Sequence, residues 1–209
     1  MLKPKPRLDK DARREAILDV AQEVFLEEGF AAASMSTIAA RLGGSKGTLY
    51  NYFASKDDLF KAYVERRCLW QQDEVFAIMS GETPEAALTR ICRSFLGFIV
   101  DDVTLRNFAL IAAESERAPE LGRIFYETGP KVGAERLAAF LAGLDAAGAL
   151  DLDGDPLGAA QHLLGLLQSP LWKARLCHAI AAPTAEQVDA EAKRGVRTFL
   201  RAFGNRHER

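Results

Sequence analysis

From residue 45 the sequence reads Ser45, Lys46, Gly47, Thr48, Leu49, Tyr50, Asn51, Tyr52, Phe53, a short stretch that alternates hydrogen-bonding side chains with an apolar pair. Ser45, Lys46, Gly47 and Thr48 are small or polar, so their backbone can come close to a partner. Tyr50, Asn51 and Tyr52 add longer polar reach one turn later. Leu49 and Phe53, four apart, share one helix face and point inward. This is chemistry for reading a surface rather than for making or breaking bonds, and the surface it suits is the major groove of DNA, whose base edges display a donor and acceptor code. Lys56 follows at the start of the next helical stretch, where its ammonium and the exposed N–H groups could both meet a phosphate.

Catalytic alternatives fare poorly. The chain has no HExxH, GxSxG, Cys–His pair, phosphate loop or clustered carboxylates, and Gly43-Gly44 followed by Lys46 lacks the spacing of a phosphate-binding loop. Cys68, Cys92 and Cys177 are far apart and form no CxxC, against both a disulfide framework and a zinc site. Asp151 to Asp155 (DLDGD) brushes against a calcium loop, but Gly154 falls at the fourth place instead of the sixth, and His162 stands where a bidentate Glu belongs. It reads as a turn plus a helix cap. No metal, cofactor or enzymatic activity is expected.

The elements that must position the reading residues are helical. Ile17, Val20, Ala21 and Val24 form an amphipathic stripe, and Gly29 ends that helix. Ser34 caps a short helix carrying Met35, Ile38, Ala39 and Leu42, closed by Gly43 and Gly44. Ser45 caps a second short helix through Phe53, the proportions of a helix-turn-helix. Ser55 and Asp58 form a near capping box for a long helix from Lys56 to about Met79. Further on, prolines mark helix starts, giving helices near 84–101, 104–116, 119–129, 131–148, 156–168, 170–181 and 185–203. The expected class is all-α. The expected domains are a basic disordered arm at 1–10, a helix-turn-helix domain at 11–56, a connecting helix at 57–80 and a helical regulatory and dimerisation domain at 81–209.

The 209 residues are 48% hydrophobic and 27% charged, enough for a substantial core and incompatible with wholesale disorder. The net charge of −2 is unevenly placed: residues 1 to 67 hold 12 Lys+Arg against 10 Asp+Glu, and Lys3, Lys5, Arg7, Lys10, Arg13 and Arg14 crowd the first fourteen positions. A polyanion partner at one end fits this pattern, and so does a solvated terminus. The longest apolar run, Leu137 to Leu144, is far short of a membrane span, and the first residues lack a secretory apolar stretch, so a cytoplasmic protein is expected.

Residues 11 to 63 resemble the DNA-binding domain of the tetracycline-repressor (TetR) family of bacterial transcriptional regulators. The resemblance rests on the first helix ending in Phe25 and Gly29-Phe30, on Ser34 with Ile38-Ala39, on Gly43, and above all on SKGTLYNYF followed by Ser55-Lys56 and Leu59. One departure is Gly44, where family members usually carry a small branched residue such as Val. The stretch Pro119 to Pro130 (PELGRIFYETGP) is similar to the carboxy-terminal domain of AefR-like members. The resemblance implies a bacterial homodimer, at the nucleoid when bound to DNA, whose two heads grip a near-palindromic double-stranded operator. It carries DNA contact over to Ser34, Ser45, Lys46, Gly47, Thr48, Tyr50, Asn51, Tyr52 and Lys56.

A DNA reader of this size does not need the remaining residues unless they dimerise it, regulate it, or both. Leu157 to Gln168 is apolar nearly all round, and the last long helix carries an apolar stripe. The resemblance pairs these two helices with their mates, and Leu157, Leu164, Val188, Val196, Phe199 and Phe203 are the expected dimer contacts. A pocket for a small apolar or amphipathic effector would be lined by Trp70, Phe95, Phe98, Phe108, Phe125, Tyr126, His162 and Trp172, with Arg106, Asn107 or Glu114 supplying polarity; core packing would use the same aromatics. Three readings compete: a ligand-released repressor whose recognition helices sit ~34–36 Å apart on DNA, the same head with a body that answers to no metabolite, and a helical enzyme with a coincidental head.

Overall fold

The computed structural model describes residues 10–67, 73–77, 79, 81–168 and 170–205. Lys3, Lys5, Arg7, Cys68 and Trp70 lie outside them. The described residues form twelve helical segments and one isolated β-bridge, Leu150 to Gly204. They group into two compact units, Met1–Arg67 with Leu110–Phe125, and Cys68–Ala109 with Tyr126–Arg209.

The first unit contains α1 (Lys10–Ala32), α2 (Met35–Arg41), α3 (Lys46–Tyr50) and α4 (Lys56–Arg67). Gly29 interrupts α1 as the sequence implies, at φ 80 and ψ 160, a conformation open to glycine, but the chain then regains a turn and runs on to Ala32. Ser34 and Ser45 are the N-caps of α2 and α3, their hydroxyls accepting from the Thr37 and Thr48 N–H groups. Between them Gly43 adopts φ 68. The Gly43 N–H donates to Ala40 and the Gly44 N–H to Ala39, the paired bonds of a Schellman stop. α3 ends three residues before the expected Phe53, because the Asn51 and Tyr52 N–H groups turn to the Thr48 and Leu49 carbonyls and tighten the last turn.

Ile17, Leu18, Val24, Ile38, Leu49 and Leu59 are fully buried, so every helix of the unit contributes to one small core. Phe25 anchors it, with ring centroids 5.5 Å from Phe30, 5.7 Å from Phe60 and 6.3 Å from Tyr63. Such tilted and edge-on aromatic contacts add about 0.5–1.5 kcal/mol each beyond their buried area.

The second unit is built on α6 (Pro84–Ile99), α9 (Pro130–Ala146), α10 (Pro156–Leu167) and α12 (Ala185–Phe203), with α5 (Asp73–Phe76) and α11 (Leu171–Leu176) beside them. α7 (Asp102–Glu114) and α8 (Pro119–Thr128) each divide between the two units. Prolines do start α6, α8, α9 and α10, and Thr83, Asp155 and Thr184 cap α6, α10 and α12. Leu88, Ile91 and Leu96 of α6 share a core with Leu137 and Leu141 of α9, Ala160 and Leu163 of α10, and Ala192, Val196 and Phe199 of α12. At Gly195 an added Cβ would stand 2.8 Å from Leu167, so the missing side chain lets α12 approach α10. Burial pushes the Cys92 thiol up to about 12, while Cys177 is exposed.

Two further helices differ from expectation. A helix continuous from Lys56 to Met79 is excluded at its far end: α5 stops at Phe76, and the Arg90 guanidinium takes the Val75 and Ala77 carbonyls at 2.6 Å while also binding Glu82. That hydrogen bond from Arg90 holds the Glu82 carboxyl below its usual range. The helix expected at 170–181 is only Leu171–Leu176. His178 takes φ 54 and its N–H turns back to the Arg175 carbonyl, a left-handed stop made without glycine. The left-handed conformation costs a non-glycine residue roughly 1–2 kcal/mol. Exposed His178→Gly should therefore stabilise the chain by roughly 1 kcal/mol, a rise in Tm of about 2–4 °C; His178→Val should lower it, and a thermal melt of the two variants checks both signs.

Candidate nucleic-acid interface

Each helix of the helix-turn-helix is held at its start by local polar bonds. The Ser34 and Ser45 hydroxyls lie 2.9 Å from the Thr37 and Thr48 hydroxyls as well as accepting from their backbone N–H groups. Leu49 and Phe53 are buried, which fixes the opposite side of α3 outward: Ser45, Lys46, Gly47, Tyr50 and Asn51 are exposed, with Thr48 and Tyr52 half-buried at the margin. Lys46 holds its ammonium 5.8 Å from the Tyr50 ring. The result is a short helix with a polar, hydrogen-bonding outer face on a rigid apolar base.

Charged residues tie α3's supports together. Arg41 of α2 pairs with Glu27 at 2.5 Å and Glu28 at 3.2 Å on α1, and the Glu27 hydrogen bond raises its already high pKa. Arg66 of α4 pairs with Asp19 at 2.8 Å and Glu15 at 3.2 Å. The Arg14 guanidinium sits 5.4 Å from the Phe53 ring, a cation–π contact from α1 to the base of the reading helix. The sequence carried no periodic signal for these three, because each partner lies on another helix.

Lys56 has a different task from the expected one. Its ammonium donates to the Phe30 and Ala33 carbonyls at 2.7 and 3.0 Å, lies 3.5 Å from that of Ala31, and sits 4.3 Å from the Phe30 ring. With its N–H groups directed at carbonyls, the side chain closes the chain reversal between α1 and α2 instead of reaching outward to a phosphate. Glu114 completes this clamp. Expected as pocket polarity, its carboxylate instead accepts from the Ala31 N–H at 3.0 Å, and a Cβ added at Gly29 would collide with it. The segment 29–33 is thus gripped by a cation on its carbonyls and an anion on an N–H.

The expected effector lining is spread over both compact units. Phe95 is buried in the second unit's core with Phe98 packed against it, while Phe108 meets Trp172 edge-on at 5.3 Å. Phe125 belongs to the first unit, and Tyr126 is 58% exposed. Asn107 spends its amide on the Val103 carbonyl, and Arg106 is exposed. His162 is also exposed and stacks on Phe203, in an open groove of about 810 Å³ lined by α10 and α12 residues including Gly165, Leu166, Arg194 and Thr198. The apolar periodicity marked these aromatics as inward-facing without saying which interior each one enters.

The expected dimer contacts divide as well. Val188, Val196 and Phe199 are 8%, 0% and 1% exposed within a single protomer, so their stripe closes the internal core. Leu157 is exposed, and Leu164 and Phe203 are half-buried. One helix stripe cannot serve the core and an outer face at once, and here the core has it.

A capped, exposed helix on a three-helix head, joined to a helical body, defines the helix-turn-helix class of DNA-binding regulators. Residues 17–63 match the family of bacterial regulatory proteins named tetR, and residues 86–205 match the AefR-like transcriptional repressor carboxy-terminal domain. The chain belongs to the TetR family of bacterial transcriptional regulators; it is a DNA-binding regulator and not an enzyme. It is 35% identical to the flavonoid-responsive regulator FrrA, whose solved structure covers 93% of this chain with 98% of its own length at a TM-score of 0.76. A solved TetR-family regulator from Mesorhizobium loti is 27% identical, covering 94% of this chain and all of its own at a TM-score of 0.76. The transcriptional activator FasR of Mycolicibacterium smegmatis is 47% identical over 60 residues, which are 29% of this chain and 27% of FasR. The chain therefore spans about a quarter of that curated relative. Among the described residues, no helix is long and apolar enough to cross a membrane.

Lys56 and Lys46 should separate in a stability measurement. Lys56→Ala removes charge-assisted bonds to backbone carbonyls and should destabilise the head by about 1–3 kcal/mol. Lys46→Ala removes an exposed side chain and should leave the denaturant midpoint within the spread of surface substitutions, about 0.5 kcal/mol.

Proposed function

We propose that the protein is a homodimeric repressor that binds a near-palindromic operator and is released from it by a small apolar or amphipathic ligand. The observation that carries this reading is the outward face of α3, where Lys46, Gly47, Tyr50 and Asn51 are exposed while Leu49 and Phe53 hold the helix from behind. Lys46 supplies a phosphate contact. Thr48, Tyr50, Asn51 and Tyr52 offer hydroxyls and a carboxamide to base edges, and Ser34 and Ser45 keep the two short helices in register. Within the expected domain plan, residues 11–56 read DNA and the helices after residue 80 dimerise and respond.

Repression is favoured over activation by the AefR-like repressor domain that matches most of the body. A ligand response is favoured by the likeness to a regulator named for its response to flavonoids, similar over nearly the whole chain. α7 offers a route between body and head. It begins in the second unit at Asp102, where the exposed carboxylate pairs with buried Arg175, and ends in the first at Glu114, on the α1–α2 reversal. A ligand that binds the two positions of α7 unequally would shift the head by that difference in affinity, typically 1–3 kcal/mol. The dimer surface is the open face of α10 and α12, with Leu157, His162, Leu166 and Phe203 outward, rather than the buried stripe.

Replacing Lys46 with Ala should flatten the log–log salt dependence of operator affinity by about 0.9, the share of a single phosphate. Thr48→Ala and Asn51→Ala should each change which base is preferred at one operator position, at about 1–3 kcal/mol for each base-edge interaction removed. Binding to a panel of singly substituted operators reads this directly, and an unchanged preference for both variants refutes α3 as the reader. Leu166→Glu should convert the dimer to monomers in sedimentation velocity without lowering helicity; a dimer that survives this charge has its interface elsewhere.

A further inference from the structure

Backbone conformation does not require glycine at Gly44: unlike Gly43, it lies outside the left-handed region. What the missing side chain leaves is space. A Cβ built at Gly44 would stand 3.0 Å from the Arg13 Nη2 atom, so the guanidinium of α1 lies across the turn at the point where the chain enters α3. Arg13 is half-buried, and no ion pair or hydrogen bond engages it among the described residues. Its neighbour Arg14 is held at the base of the same helix by the Phe53 ring. The first turn of α1 therefore brings one arginine to the entrance of α3 and another to its foot.

We propose that Arg13 is a DNA-contacting residue, a phosphate-binding guanidinium lent by α1 to the helix-turn-helix and admitted by the absent side chain at Gly44. It rests on the reading of α3 as the DNA reader. An unpaired guanidinium with donors in a planar fork, beside a surface whose partner is a polyanion, suits bidentate binding of a phosphate. It lies over the turn instead of on the outer face of α3, so it fixes the position of the reading helix and carries no base preference of its own.

The test is salt-dependent operator binding by the full chain and its variants, with a thermal melt of each. Arg13→Ala should lower the log–log salt slope by about 0.9 and weaken binding equally on operators that differ in base sequence; Arg13→Lys, which keeps the charge, should retain the slope. Gly44→Val should have the same effect with Arg13 still present, because the tight contact of the added side chain is with the movable end of Arg13, and Leu42 lies at ordinary van der Waals distance. The double variant should be no worse than either single one. A slope unchanged by Arg13→Ala, with only the Tm lowered, would make Arg13 a packing residue and overturn the proposal; so would additive effects at Arg13 and Gly44. Lys46→Ala separates the two levels. If it flattens the slope and Arg13→Ala does not, only this inference falls; if neither does, the assignment of the DNA-binding face falls with it.

Discussion

A helix of five residues has no stability of its own, since nucleation costs more than so few hydrogen bonds return. α3 is such a helix, and the first unit is organised around holding it. Ser45 satisfies its first free N–H, the Gly43 stop fixes its entry, and Leu49 and Phe53 bury its inner face. That burial requires the small core of Ile17, Val24, Phe25, Ile38 and Leu59, and the core in turn requires α1 to reverse sharply into α2. Gly29 allows the reversal, and the Lys56 ammonium and Glu114 carboxylate satisfy its exposed backbone groups. The exposed polar face is the consequence of these buried commitments.

The same dependence gives Glu114 its interest. It is the last residue of a helix that starts in the other compact unit, yet it bonds to the segment that sets the approach of α2 and α3. In the proposed ligand response, a shift of α7 would reach the head through this contact without any ligand touching the head. Differential affinity for two positions of one helix is sufficient, and no contiguous chain of rearrangements through both cores is required.

Much of the fold was legible in the sequence because the signals were local. Ser34, Ser45 and Ser55 cap helices, Gly29 and Gly43 take positive φ, and four prolines open helices where expected. The outward placement of Lys46, Gly47, Tyr50 and Asn51 followed from the Leu49–Phe53 spacing. What failed was tertiary. Lys56 opens an ordinary helix, and nothing in the sequence says that its ammonium meets carbonyls 23 and 26 residues earlier. Arg90 ends α5 from a different helix, and His178 stops α11 in a conformation usually left to glycine. Val188, Val196 and Phe199 show the same limit: an apolar stripe says that a face is covered, and only the fold says by what.

The central claim, that the outer face of α3 reads a specific DNA sequence, is tested most directly by fluorescence anisotropy of the full chain. The titrations would use the intergenic DNA beside its own gene and a scrambled control, at low and moderate salt. The account predicts tight binding to the first in multiples of two protomers, persisting at moderate salt and absent on the scramble. Equal, salt-labile binding to both DNAs would contradict it, because a face that touches only phosphates has no use for the hydroxyls and carboxamide that α3 holds outward.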